Sequence, residues 1–209
     1  MSIYFQVLLM VFLCISCSGQ VSTVEERSVG GPCQDCEALR DYLQGDIVLG
    51  ATDTITGFDR YSPKIKLSGT VFQRDGKTHA PNVILYLYHT DRKGIYQPST
   101  APAGWEKIHG QYRTWLRTGE DGRYSFYTFR PAPYPEVNEP EHIHVYVKEP
   151  STIPYYLDSY FFESDPKLTL QKRQSLKNRG GSGVVKLVKE GEVWKGNRDL
   201  ILGFNIPNY

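Results

Sequence analysis

From Lys64 onward the chain alternates: polar residues separate Ile65, Leu67 and Val71, the two-residue period of a strand with one face buried. Arg74-Asp75-Gly76-Lys77 supplies a tight turn, and a hairpin is expected there. Val83 to His89 is nearly all apolar or aromatic, which predicts a strand covered on both faces. Asp91 to Gly110 contains Gly94, Pro98, Pro102 and Gly104, so it predicts a long irregular connection, a kind of loop that often carries function. Gln111 to Thr118 resumes as a strand, and Gly119-Glu120-Asp121-Gly122 turns it into Arg123 to Phe129 as a second hairpin. His142 to Val147 and the aromatic run Tyr156 to Glu163 read as further strands, the latter closed by Asp165-Pro166. Gln171 to Gly183 is basic and glycine-rich, which predicts an exposed loop with solvated charges. Val184 to Val188, Glu192 to Lys195 and Asp199 to Phe204 complete the strands. The expected fold is all-β, an antiparallel β-sandwich with a site at one edge roofed by long loops.

Three segments follow from this pattern: residues 1–19, an arm over 20–63, and the sandwich domain over 64–209. Ile3 to Ile15 is apolar except for Gln6, shorter than the ~20 residues of a membrane span, and reads as an export signal. Ile-Ser-Cys-Ser resembles a bacterial lipoprotein processing site, in which Cys17 becomes the lipidated first residue and attaches the chain to a membrane. Plain secretion with cleavage near Gly19 is the alternative. Either route places the mature chain outside the cytoplasm, in the periplasm, at the outer membrane or cell surface, or in the medium. In the arm, Cys33 and Cys36 are spaced like a redox pair or half a zinc site, but further ligands and a βαβ context are not visible. A short-loop disulfide is the plain reading outside the cytoplasm. Glu37 to Leu43 can form a short helix after it.

Composition narrows the function classes. Twenty-four lysines and arginines balance 23 acids, with no long basic run, which argues against a nucleic-acid partner. Fifteen tyrosines, 13 prolines and 19 glycines punctuate short apolar runs, the texture of a turn-rich β protein.

The chemistry concentrates between Glu120 and Val147. His142 and His144 are two apart on a predicted strand, so both imidazoles share one face while Ile143, Val145 and Val147 take the other. Two neutral ring nitrogens converging from a rigid backbone suit a metal, though a hydrogen-bonded structural pair reads the same way. Tyr134 lies eight residues upstream, between Pro133 and Pro135, and those prolines stiffen the loop that aims its phenol.

Several motifs then line up in register. Ser-Gly-Thr-Val-Phe, Val-Ile-Leu-Tyr-Leu-Tyr-His, Gly-Ile-Tyr, Asp-Gly-Arg-Tyr-Ser-Phe-Tyr-Thr-Phe-Arg-Pro-Ala-Pro-Tyr-Pro, His-Ile-His and Tyr-Phe-Phe-Glu-Ser-Asp-Pro follow one another from Lys64 to the C-terminus. Together they resemble the catalytic domain of intradiol ring-cleavage dioxygenases, most closely the small exported members. The resemblance implies a mononuclear ferric site held by Tyr96, Tyr134, His142 and His144, with Tyr112 as the substitute should Tyr96 fail. It also implies the activity, cleavage of a catechol-type diol by dioxygen to a muconate-type diacid, with Tyr134 helping to take a substrate proton. The residues depart from the pattern at two places: Glu139 stands where many members have arginine, and Ser159 where they tend to have glutamine. Arg113 and Arg130 are the cations expected to compensate at the catalytic centre. Ser-Gly-Thr-Val followed by Asp-Gly-Arg-Tyr-Ser-Phe also resembles transthyretin-like and carboxypeptidase-regulatory modules, which leaves a metal-free binding module, or an iron-binding member without turnover, as alternatives. Trp105, Trp115 and Tyr88 can line an aromatic pocket or simply fill the core.

Overall fold

Ile65, Leu67, Gly69 and Val71 are buried along β2 (Lys64–Phe72), and the residues between them are half-buried, as the alternation requires. The computed structural model describes residues 25–45 and 47–209, so the export segment and Cys17 lie outside the described residues. The strands after the short β1 (Thr52–Thr54) and β2 are β3 (Ile84–Tyr88), β4 (Arg113–Arg117), β5 (Arg123–Phe129), β6 (His142–Lys148), β7 (Tyr155–Tyr156) and β8 (Tyr160–Phe162). The remainder are β9 (Val184–Val185), β10 (Val188–Glu190), β11 (Val193–Asn197) and β12 (Leu200–Ile201).

Two sheets face each other. One runs β1-β5-β2-β11-β10, with β12 also on β2; the other runs β4-β3-β6-β8-β9, with β7 on β6. The sandwich is all-β as expected, but the sheets are mixed: β1–β5, β11–β2, β12–β2 and β8–β9 are parallel pairs. The turn at 74–77 closes a short hairpin, with Phe72 bridged to His79 and the Gln73 N–H donating to the Thr78 carbonyl at 2.7 Å, but neither expected hairpin pairs the long strands. β2 and β3 lie in different sheets, as do β4 and β5, so the turns at 74–77 and 119–122 carry the chain from one sheet to the other. Gly122 needs its left-handed backbone there, since a Cβ would lie 2.5 Å from the Val71 carbonyl oxygen.

Between the sheets, Ile65, Leu67, Phe126 and Phe129 pack against Leu85, Leu87, Ile143 and Val145, all essentially inaccessible to solvent. Each such side chain contributes roughly 1.5–3 kcal/mol of transfer free energy. A second cluster covers the outer face of the other sheet. Cys36, Ala38 and Leu39, on a 3₁₀ helix (Cys36–Gln44) of the arm, pack on Ile84, Tyr86, Tyr88, Trp115 and Tyr146. The Trp115 indole N–H donates to the Leu39 carbonyl at 2.9 Å, which ties arm to sheet. This is why every residue of β3 is buried.

Two further expectations change. The long connection after β3 contains a one-turn helix, α1 (Glu106–His109), and the basic loop contains α2 (Leu170–Ser175), capped by the Thr169 hydroxyl. Arg179 of that loop is not solvated: it is 3% exposed, donates to the carbonyls of Tyr156 and Gly30, and lies over the Tyr156 ring.

Candidate metal centre

β6 places Ile143, Val145 and Val147 in the core and turns His142 and His144 to the opposite face. The loop after β3 is fixed by Asp91. Its carboxylate accepts from the Lys93 and Ile95 backbone N–H groups at 2.7 and 3.0 Å, and its carbonyl accepts from Ala132 N–H at 3.1 Å. The Thr90 hydroxyl donates to the Ala132 carbonyl at 2.7 Å. These bonds clip the Tyr96 loop to the Pro-Tyr-Pro loop, so both tyrosines are aimed at β6 by one interlocked pair of turns.

The four side chains meet. Tyr96 Oη lies 2.8 Å from His144 Nε2, and Tyr134 Oη lies 3.2 Å from it. His142 Nε2 is 3.3 Å from Tyr134 Oη and 3.1 Å from His144 Nε2, and the two phenol oxygens are in hydrogen-bond contact. His142 Nδ1 faces the Pro140 carbonyl at 2.8 Å; a carbonyl only accepts, so Nδ1 carries the proton and Nε2 presents its lone pair to the cluster. Burial depresses the pKa of both imidazoles, which keeps them in the neutral, ligating form. Burial, and then Tyr134, hold the Tyr96 phenol well above its usual value. Tyr134 is raised by burial, lowered by its bond to Tyr96 and raised again by the Glu139 carboxylate.

This donor set fits a hard, highly charged cation. Two neutral nitrogens and two phenol oxygens converge on one point, and a trivalent ion at that point would displace both phenolic protons. Among the described residues no group of three or more His, Cys, Asp and Glu side chains could hold a metal ion. The cluster reaches four donors only through its phenols.

The other predicted site residues lie elsewhere. Tyr112 packs against Tyr61, His89 and Phe129, so Tyr96 and not Tyr112 joins the histidines. Arg113 and Arg130, expected to compensate for Glu139, are both engaged in ion pairs. Arg113 binds Asp41 at 2.9 Å over the Trp115 ring, and Arg130 binds Glu141 at 2.5 Å and Ser164 Oγ at 3.0 Å over the Phe162 ring. Glu139 pairs with Lys172 at 2.6 Å, and that ammonium sits over the Phe161 ring, which in turn abuts His142. A cation, Lys172 of α2, therefore stands beside Glu139, the position at which the resembled pattern has arginine. Ser159 lines a cavity of about 280 Å³ that reaches His144.

One layer went unread in the sequence. The Tyr88 ring is sandwiched between His144 and His109, with centroids 4.4 and 3.9 Å away and planes within 12° and 7°. Its hydroxyl meets that of Tyr146 at 3.2 Å. The alternation of Tyr86 and Tyr88 opposite Tyr146 was the available signal; the contribution of His109 from a distant helix was not.

No protein-family model matches the sequence, and no curated protein matches it either. Solved structures do. The dioxygenase domain of a dioxygenase–carbohydrate-binding fusion from Streptomyces sp. SirexAA-E superposes with a TM-score of 0.57 at 20% identity, over 86% of this chain and 97% of that one. Catechol 1,2-dioxygenase from Acinetobacter sp. ADP1 gives 0.54 at 23% identity, over 76% of this chain and 60% of that one. An intradiol ring-cleavage dioxygenase from Tetranychus urticae gives 0.53 at 16% identity, over 75% and 88%. With the sandwich, the strand order and these superpositions in hand, the chain has the fold of the intradiol ring-cleavage dioxygenases.

Proposed function

We propose that this chain is an exported ferric dioxygenase that cleaves a catechol-type diol between its two hydroxyl-bearing carbons, incorporating both atoms of dioxygen to give a muconate-type diacid. The observation that carries the reading is the convergence of Tyr96, Tyr134, His142 and His144 into one cluster, each within hydrogen-bond distance of at least two of the others. These four residues would hold the metal. Ferric iron, when bound, supplies a Lewis-acidic centre that draws electron density from a deprotonated diol and readies its ring for dioxygen.

The chain's own residues prepare the diol. Tyr134 sits on a proline-flanked loop with its Oη at the cluster, and burial together with Glu139 favours the protonated phenol. Once ionised, that oxygen is a strong acceptor for a diol proton. Lys172 offsets the Glu139 charge, so an anionic substrate is not repelled by an unpaired carboxylate. The cavity reaching His144 is bounded by Tyr146, Tyr156 and Leu157, which accommodate an aromatic ring and limit water. The Cys33–Cys36 disulfide supports export, since such bonds persist outside the reducing cytoplasm. Membrane attachment through Cys17 belongs to the same proposal.

Glu139 and Ser159 favour one second reading, an iron-binding relative without turnover. Oxygen uptake separates the two. Iron-loaded protein given catechol, hydroxyquinol and protocatechuate should consume one dioxygen per diol, and ¹⁸O₂ should label the diacid twice. Tyr134→Phe and His144→Ala should abolish both. An iron-replete protein that binds these diols and consumes no oxygen establishes the second reading.

A further inference from the structure

The wall of the diol cavity is not made by the sandwich alone. Pro32 and Gln34 of the arm close one side, opposite His144 and Tyr146 of β6 and Tyr156 and Ser159 beyond it. Resting on the function proposed above, we propose that the turn Pro32–Cys36, held shut by its own disulfide, is the element that sets the size of diol accepted.

The turn is anchored to the aromatic layer that carries His144. The Tyr146 hydroxyl donates to the Gln34 carbonyl at 3.0 Å. The Asp35 carboxylate lies 3.7 Å from His109 Nε2, a buried nitrogen with no hydrogen-bond partner of its own, and that imidazole ring stacks on Tyr88. Asp35 adopts φ of 60°, the left-handed backbone that folds the four-residue loop back on itself. On its N-terminal side Gly30 is fixed twice, by its N–H donating to Pro207 at 2.7 Å and its carbonyl accepting from Arg179 at 3.0 Å. A Cβ at Gly30 would lie 2.6 Å from Tyr155 Cβ, so the chain enters the turn pressed against the sheet. Between these anchors only the Cys33–Cys36 bond closes the loop covalently.

A second cavity, of about 340 Å³, opens on the outer side of the same turn. Cys33 and Cys36 line it with Glu37, Arg40, Ile153 and Pro154, so a small thiol can reach the sulfurs without entering the diol cavity. A dithiol reagent then delivers two electrons and two protons to the bond, leaving two protein thiols and one oxidised reagent. With the loop opened, Gln34 and Pro32 lose their covalent closure and keep the Tyr146 and Asp35 contacts, and the cavity can widen beside His144.

The test compares a compact and a bulky diol on the iron-loaded protein, 4-nitrocatechol and 3,5-di-tert-butylcatechol, by spectral titration before and after reduction with dithiothreitol, the thiols being counted. The oxidised protein should favour the compact diol. Complete reduction, Cys33→Ser/Cys36→Ser, or to a lesser degree Tyr146→Phe, should narrow the ratio of dissociation constants by about tenfold, mainly by tightening the bulky diol. An unchanged ratio with both thiols free overturns the proposal. Metal-free protein provides the independent reading: diethylpyrocarbonate labelling of His109, which the Asp35 turn covers, should rise severalfold on reduction. Unchanged labelling overturns the docking of the turn, whereas failure to load iron at all tells against the dioxygenase reading and leaves the labelling result standing.

Discussion

Gly94→Ala is the substitution that most sharply tests how the site is assembled. Gly94 has φ of 79°, and a Cβ there would lie 2.1 Å from the Pro133 carbonyl oxygen and 3.0 Å from Pro135 Cδ. Ordinary contacts begin at 3.4 Å, so the two loops must part by more than 1 Å. The left-handed backbone costs about 1–2 kcal/mol for alanine and the overpacking about 1–3 kcal/mol. At roughly 2–4 °C per kcal/mol for a chain of this size, the midpoint should fall by roughly 4–20 °C. The consequence for function is larger. Gly94 is two residues from Tyr96, and Pro133 adjoins Tyr134, so the shift separates the two phenols. A misplacement of about 1 Å can cost on the order of 100-fold in catalysis. Gly191→Ala is the control, because that glycine has φ of 61° with nothing within 4 Å of its would-be Cβ. The assay is iron per chain and visible absorbance, with a melting curve for each variant. If Gly94→Ala keeps iron and colour as well as Gly191→Ala does, the two loops do not position the tyrosines jointly and the reasoning fails.

Stability should fall on mild acidification. His89 is fully buried, and that burial, outweighing its bond to the Thr90 carbonyl, lowers its pKa from the ordinary 6.5 to about 4. The unfolded chain therefore binds the extra proton between those values, so stability is complete above pH 6.5 and declines toward pH 4 by about 3 kcal/mol. Urea unfolding against pH checks this, and a flat profile for the wild type would contradict it; His89→Gln should reduce the slope. Arg113→Met strands the Asp41 carboxylate, which is only 7% exposed, and should cost about 3 kcal/mol in chemical denaturation while leaving the iron content intact. Glu139→Gln removes a carboxylate beside a site that gains net positive charge when a trivalent ion replaces two phenolic protons, and leaves Lys172 unpaired, so iron should bind severalfold more weakly in a competition titration; unchanged or tighter binding would contradict it.

Period-two spacing was sufficient to put His142 and His144 on one face, and prolines on both sides marked Tyr134. The choice between Tyr96 and Tyr112 was not legible, because it depends on how Asp91 folds the intervening loop and on which tyrosine the core absorbs. Arg113 and Arg130 looked available only because their partners, Asp41 and Glu141, are distant or unremarkable in sequence. Turn chemistry at 74–77 and 119–122 announced reversals correctly, yet local residues specify that a chain turns and not which sheet receives it. The parallel edges were equally hidden. Gly69 permits one of them, since a Cβ there would lie 1.8 Å from the Arg198 carbonyl oxygen where the chain passes between β11 and β12.

The most direct test of the metal centre is a visible spectrum and metal analysis of the aerobically purified protein, before and after adding catechol. About one iron per chain and a coloured phenolate-to-ferric band that shifts as catechol binds are the expected result, with the band lost in Tyr134→Phe or Tyr96→Phe. A folded protein that stays colourless and iron-free after reconstitution with ferric salts would contradict the account.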